Sequence, residues 1–255
     1  MKVVYAVPAP MSRTPLGLQE VDRRGDLLRQ WAMPGTETAI WDASHGPASI
    51  ESAYEEYLSV PAGAELVVRA EQQGYDAAII GCLGDPGLDA LREVSQRMPV
   101  VGPGEASCHL AAMQGERFGI VTIAHGVVNP LRHLVARAGL AERLAGIAVI
   151  DVPVLALSED RTDTVSRVVE AGRDLITRHD ADTLVLGCMS MAFLDMAGEV
   201  EAQLGVPVVN PAKAALHTAE TLVGCGLSHS KRAYPTPTKL AADDGPGDLA
   251  GLSVR

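Results

Sequence analysis

Two stretches of the chain share one frame. "DAAIIGCLGDPG" (76 to 87) and "DTLVLGCMSMAF" (182 to 193) each place an Asp before four mostly apolar residues and then a Gly-Cys pair. The likeness continues into "MPVVGP" (98 to 103) and "VPVVNP" (206 to 211), and each of these leads into a small-residue, helix-compatible segment, "GEASCHLAAMQG" and "AKAALHTAETLVGCG". A chain duplicated in this way is expected to fold as two similar lobes and to deliver one cysteine to an equivalent place in each.

Around that frame, strand-like runs alternate with helix-like ones. "KVVYAV" (2 to 7), "AAII" (77 to 80), "PVVG" (99 to 102), "RFGIVTIA" (117 to 124), "TLVLG" (183 to 187) and "PVVN" (207 to 210) read as strands. "SIESAYEEYLSVPAGAELVVRAEQQG" and "DTVSRVVEAGRDLITRHD" carry apolar residues at helical spacing on charged segments. Strands separated by helices imply βαβ units and parallel sheets. The expected architecture is α/β: two pseudo-symmetric Rossmann-like lobes, each a mainly parallel sheet flanked by helices, with the active site in the cleft between them. Residues 1–99 plus 211–227 would form the first lobe and 100–210 the second, and 228–255, rich in Pro, Gly, Asp and Ser, would be a loosely ordered tail.

Composition narrows the partners. Apolar residues make up 47% of the 255, but no charge-free run reaches the roughly 18 residues of a bilayer span. A net charge of -11 argues against a nucleic-acid backbone, which leaves a small molecule as the expected partner. The opening "MKVVYAVPAPMSRTP" lacks a long apolar core with a small-residue cleavage site, and the four cysteines form no compact framework, so reduced thiols in the cytoplasm are expected. No GxGxxG, GxxxxGK[ST], HExxH or GxSxG pattern occurs, and no Cys or His pair has ligand spacing. Neither a metal nor a cofactor is expected.

Chemistry therefore centres on Cys82 and Cys188. Ligands of parallel sheets sit outside the carboxyl ends of strands, where both cysteines fall. Helix starts read downstream of each would aim N–H groups at the thiols and lower their pKa. Two thiols on opposite sides of one carbon can remove a proton from one face and deliver one to the other, which inverts a stereocentre next to a carbonyl. Backbone N–H groups at the two turns would hold the negative charge that develops on the carbonyl oxygen. A non-catalytic two-lobe binding protein, with the cysteines as core residues, is the alternative from another class. Cys108 and Cys225, within apolar helical segments, are expected in the core. Asp85 is expected to cap the helix that Pro86 opens; Glu105 and His125 are open between cleft and surface.

The landmarks "PGTE" (34 to 37), "GPASIES" (46 to 52), "CLGDPGLDALRE" (82 to 93), "PVVGPGEA" (99 to 106), "RFGIVT" (117 to 122) and "LGCMSM" (186 to 191) make the chain resemble the aspartate/glutamate/hydantoin racemase superfamily, most closely its hydantoin racemase branch. The resemblance implies a cofactor-independent racemase or epimerase with Cys82 and Cys188 as its acid/base pair. It also implies a homo-oligomer and a 5-substituted hydantoin or related cyclic amide as substrate. Maleate-type isomerisation or arylmalonate-type decarboxylation, reactions of the same superfamily, is the alternative that the resemblance leaves open. Gly81, Leu83, Gly84, Gly187, Met189 and Ser190 match turns that line the substrate, and Thr122 a strand-end threonine that holds it. At three places the substrate positions depart from the usual pattern. "VPAPMS", with Pro8 and Ser12, stands where an Asn-Pro-Asn-Thr type motif is usual, Ile123 replaces a second Thr, and Met189-Ser190 replaces Ala-Gly.

Overall fold

A computed structural model describes residues 1–238. The first sheet is built from β1 (Lys2–Val7), β2 (Glu37–Asp42), β3 (Ala77–Ile80) and β4 (Val100–Val101), in the order β2-β1-β3-β4. The second repeats it with β5 (Phe118–Thr122), β6 (Leu144–Val149), β7 (Thr183–Leu186) and β8 (Val208–Val209), in the order β6-β5-β7-β8. Every pairing is parallel. The sequence repeat is thus a repeat of topology.

Helices cover the sheets: α1 (Gly17–Trp31), α2 (Ala53–Gln72), α3 (Leu88–Val94), α4 (Pro103–Gln114), α5 (Val128–Arg137), α6 (Arg161–His179), α7 (Met189–Phe193), α8 (Ala197–Leu204) and α9 (Pro211–Gly224). Strands β3, β5 and β7 are buried at every residue, as parallel strands sandwiched by helices must be. The two longest helices start on side-chain caps. Ser52 accepts from the Glu55 N–H ahead of α2, and Asp160 from the Asp163 N–H ahead of α6.

Two strands and two helices go beyond the sequence reading. Strands β2 and β6 are half-buried sheet edges, so "ETAIWD" and "LAGIAV" lack the unbroken β-branched run of a central strand. Helices α1 and α5 carry their apolar residues thinly among charged ones.

Two expected boundaries shift. Val100 and Val101 pair with Ala78 and Ile79, so the first sheet runs past the break expected between 99 and 100. Of the expected loose tail, residues 228–238 dock on the first lobe: Lys231 Nζ donates to the carbonyls of Arg92, Glu93 and Ser95, and the Arg92 guanidinium donates to the Tyr234 hydroxyl at 3.3 Å. Residues 239–255 lie outside the described residues. Cys225, expected in the core, is exposed after the end of α9, while Cys108 is buried.

The lobes interlock through their last helices. Helix α4 follows β4 but packs on β5, β7 and β8; α9 follows β8 but packs on β1, β3 and β4, and the two helices pack on each other. One apolar cluster consequently contains Val3 and Tyr5 together with Ile120, Val185, Phe193 and Leu216.

Candidate active site

Each Gly-Cys pair turns off a strand beside the central strand of its sheet. The Gly81 N–H donates to Ala6 O at 2.7 Å, and the Gly187 N–H to Val121 O at 2.6 Å. Cys82 and Cys188 then enter one cavity between the lobes. Its wall includes Pro8, Gly81, Leu83, Gly84, Ile123, Gly187, Met189 and Ser190 from the sequence-based set. Two members of that set lie elsewhere. Thr122 is fully buried and donates through Oγ1 to Gly187 O at 3.1 Å, so it props the second turn from behind. Ser12 gives its N–H to Asp42 and is absent from the wall.

The surroundings of the two thiols differ. After Cys188 the chain enters α7 at once, and the N–H groups of Ser190 and Met191 bond to the sulfur. After Cys82 the chain makes a turn through Asp85, at φ 51°, before α3, leaving the Gly84 N–H to bond the sulfur. The expected lowering of both thiol pKa values does not hold. Burial pushes both up and outweighs these donors.

Two charged residues that pattern alone did not single out line the cavity. Arg24, 4% exposed on α1, donates from Nε to Glu20 and from Nη2 to Ser190 Oγ at 3.0 Å, with its guanidinium 4.9 Å from the Phe193 ring centre. Glu56 on α2 lies against Gly84, and burial pushes its carboxyl up to about 7, opposed by Arg137. The rest of the wall, including Val7, Met11, Leu16, Ile50, Val127 and Leu155, is apolar. Cationic and acidic groups thus face the cavity on the Cys188 and Cys82 sides respectively. Of the remaining candidates, Glu105 pairs with Arg92 at 2.8 Å and His125 is exposed. Asp85 caps α4, accepting from Gly104 and Glu105, instead of the helix that follows it. Among the described residues no group of three or more His, Cys, Asp or Glu is placed to hold a metal ion.

Residues 22–219 match the Asp/Glu/Hydantoin racemase family. The chain belongs to that family. Membership, together with the named racemases it resembles, makes this an enzyme of the racemase class. It is 39% identical over 209 residues to a hydantoin racemase of Pseudomonas sp. (strain NS671), covering 82% of this chain and 83% of that one. A hydantoin racemase of Paenarthrobacter aurescens is 38% identical over 216 residues, 84% and 90% of the two chains. Among solved structures, an allantoin racemase from Klebsiella pneumoniae superposes with a TM-score of 0.84 at 32% identity, covering 93% of this chain and 94% of that one. These racemases therefore share both lobes with this chain. Among the described residues no helix is long and apolar enough to cross a membrane.

Proposed function

We propose that the chain racemises a carbon acid next to a ring carbonyl, a 5-substituted hydantoin or closely related cyclic amide, with Cys82 and Cys188 as its two acid/base groups and without a cofactor. The observation that carries this reading is the meeting of two equivalent Gly-Cys turns, one per lobe, in a single cavity. One thiolate removes the proton at the stereocentre, and the opposite thiol returns one to the other face. Between the steps the charge rests on the carbonyl oxygen, where turn N–H groups would stabilise it.

The names of the relatives support the ring. An α-hydrogen next to an amide or imide carbonyl is more acidic than that of an amino-acid zwitterion, so thiol bases suffice. The apolar majority of the wall favours a hydrocarbon or aryl substituent at position 5.

Proton NMR in deuterated water, run beside optical rotation on enantiopure 5-benzyl and 5-isopropyl hydantoin, tests the reading. Loss of the ring hydrogen in step with loss of rotation is expected. Cys82→Ala and Cys188→Ala should each slow racemisation by about a hundredfold or more. Full racemisation by Cys188→Ala, or no exchange on either substrate, would overturn it.

A further inference from the structure

Arg24 and Ser190 form a connection that the racemase reading does not require. Two guanidiniums, those of Arg23 and Arg24, share the single carboxylate of Glu20, which leaves the cluster with net positive charge. Arg24 is nearly buried, an arrangement that is costly unless further polar partners complete it. One such partner is the Ser190 oxygen, which accepts from Nη2 at 3.0 Å. A hydroxyl whose oxygen accepts from a guanidinium keeps its own hydrogen for another acceptor. Ser190 is two residues past Cys188 in the first turn of α7, and both residues line the cavity.

We propose that Arg24 and Ser190 act as a relay that makes Cys188 ionise before Cys82, so that the first proton lost from the empty site leaves the Cys188 side while Cys82 keeps its own. Arg24 holds the Ser190 hydroxyl, and the hydroxyl donates to the sulfur, adding to the two N–H donors already there. All of these favour the anion.

The opposite wall has the reverse character. Cys82 receives the Gly84 N–H and shares its wall of the cavity with the Glu56 carboxyl, while the Asp85 carboxyl, held on the α4 cap, adds negative charge. Arg137 from α5 acts on Glu56, and the Tyr5 hydroxyl of β1, buried without a hydrogen-bond partner, lies close enough to Arg24 and both thiols to sense them. Both relay residues are positioning residues, since each acts through the sulfur.

Steady-state rates in the two directions do not reveal which thiol is ionised. The equilibrium constant between enantiomers is one, so kcat/KM is equal both ways. The readout must be chemical. The full chain is treated with iodoacetamide across a pH series, and alkylation at each cysteine is followed by peptide mass spectrometry. The pH midpoint at each site is compared, because differences in accessibility change the plateau and leave the midpoint in place.

The wild type is expected to show a lower midpoint at Cys188 than at Cys82. Ser190→Ala should raise the Cys188 midpoint by about one pH unit, the worth of one hydrogen bond to a charged acceptor. Ser190→Thr should restore it, Arg24→Gln should raise it in the same direction, and the Cys82 midpoint should move little in any of them. An equal or lower midpoint at Cys82 in the wild type, or a Cys188 midpoint unmoved by Ser190→Ala and by Arg24→Gln, overturns the relay. Only the catalytic meaning of the relay rests on the two-cysteine reading. A shifted midpoint with no deuterium exchange on hydantoins would sink that reading and leave the relay standing; exchange with an unmoved midpoint would do the reverse.

Discussion

At the scale of single residues, the glycine before each cysteine is set by backbone crowding. A Cβ on Gly187 would sit 2.5 Å from Val121 O and 2.8 Å from the Thr122 Cα; one on Gly81 would sit 2.9 Å from the Tyr5 ring and 3.0 Å from the Val7 Cα. Gly187→Ala must push the turn off β5, and is expected to cost about 1 to 3 kcal/mol in urea unfolding. It should also abolish exchange, because Cys188 is the next residue. Wild-type stability in that variant would refute the packing argument. Glu56 gives a pH-dependent case. Its folded pKa is raised, so the stability it contributes is complete below its unfolded value and is lost as pH climbs through about 7. Glu56→Gln, neutral throughout, should lose less stability than wild type between pH 4.5 and 8 in urea titrations. A parallel pair of curves would mean that the carboxyl ionises freely. The repeated frame made Gly81, Cys82, Gly187 and Cys188 legible in the sequence. Arg24 and Glu56 were not, because a charged residue on an amphipathic helix reads the same whether it faces solvent or a cleft.

At the scale of elements, the two copies cap corresponding helices differently. Asn210 caps α9 itself: its Oδ1 accepts from Ala212 and Lys213, and its Nδ2 donates to Ala192 O. The matching residue before α4 is Gly102, whose missing side chain leaves room for Asp85, which supplies the cap from the preceding loop. Asp85→Ala strands two N–H groups deep in the fold and should cost about 2 to 4 kcal/mol, measured by the urea midpoint. Asn210→Ala should cost about 1 to 2 kcal/mol. A neutral Asp85→Ala would mean that water replaces the cap. The central strands could be read from sequence because burial on both faces demands an apolar run. Edge strands β2 and β6 could not, since one open side relaxes that demand. The cap on α4 was invisible because it joins residues about twenty positions apart.

At the scale of the whole molecule, the sequence repeat announces two lobes, and packing binds them together. Helices α4 and α9 each rest on the sheet of the opposite copy, and the largest apolar cluster draws on both sheets. Neither lobe can lose its structure without exposing apolar surface of the other, so unfolding should be one cooperative transition. The two tryptophans offer a direct check. Trp31 ends α1 but stacks on Phe193 of α7, so in a Trp31→Phe background the fluorescence of Trp41 in β2 reports the first lobe, while far-UV circular dichroism reports both. In urea the two signals should share a midpoint. A cavity placed in the second lobe should then be felt in the first: Leu131→Ala, at a side chain 2% exposed on α5, is expected to cost about 2 to 5 kcal/mol. Because the cluster is shared, it should shift the tryptophan midpoint as far as the dichroism midpoint. Two separated transitions, with the tryptophan signal indifferent to Leu131→Ala, would mean that the lobes fold independently, and that the cavity holding Cys82 and Cys188 is a joint between separate bodies.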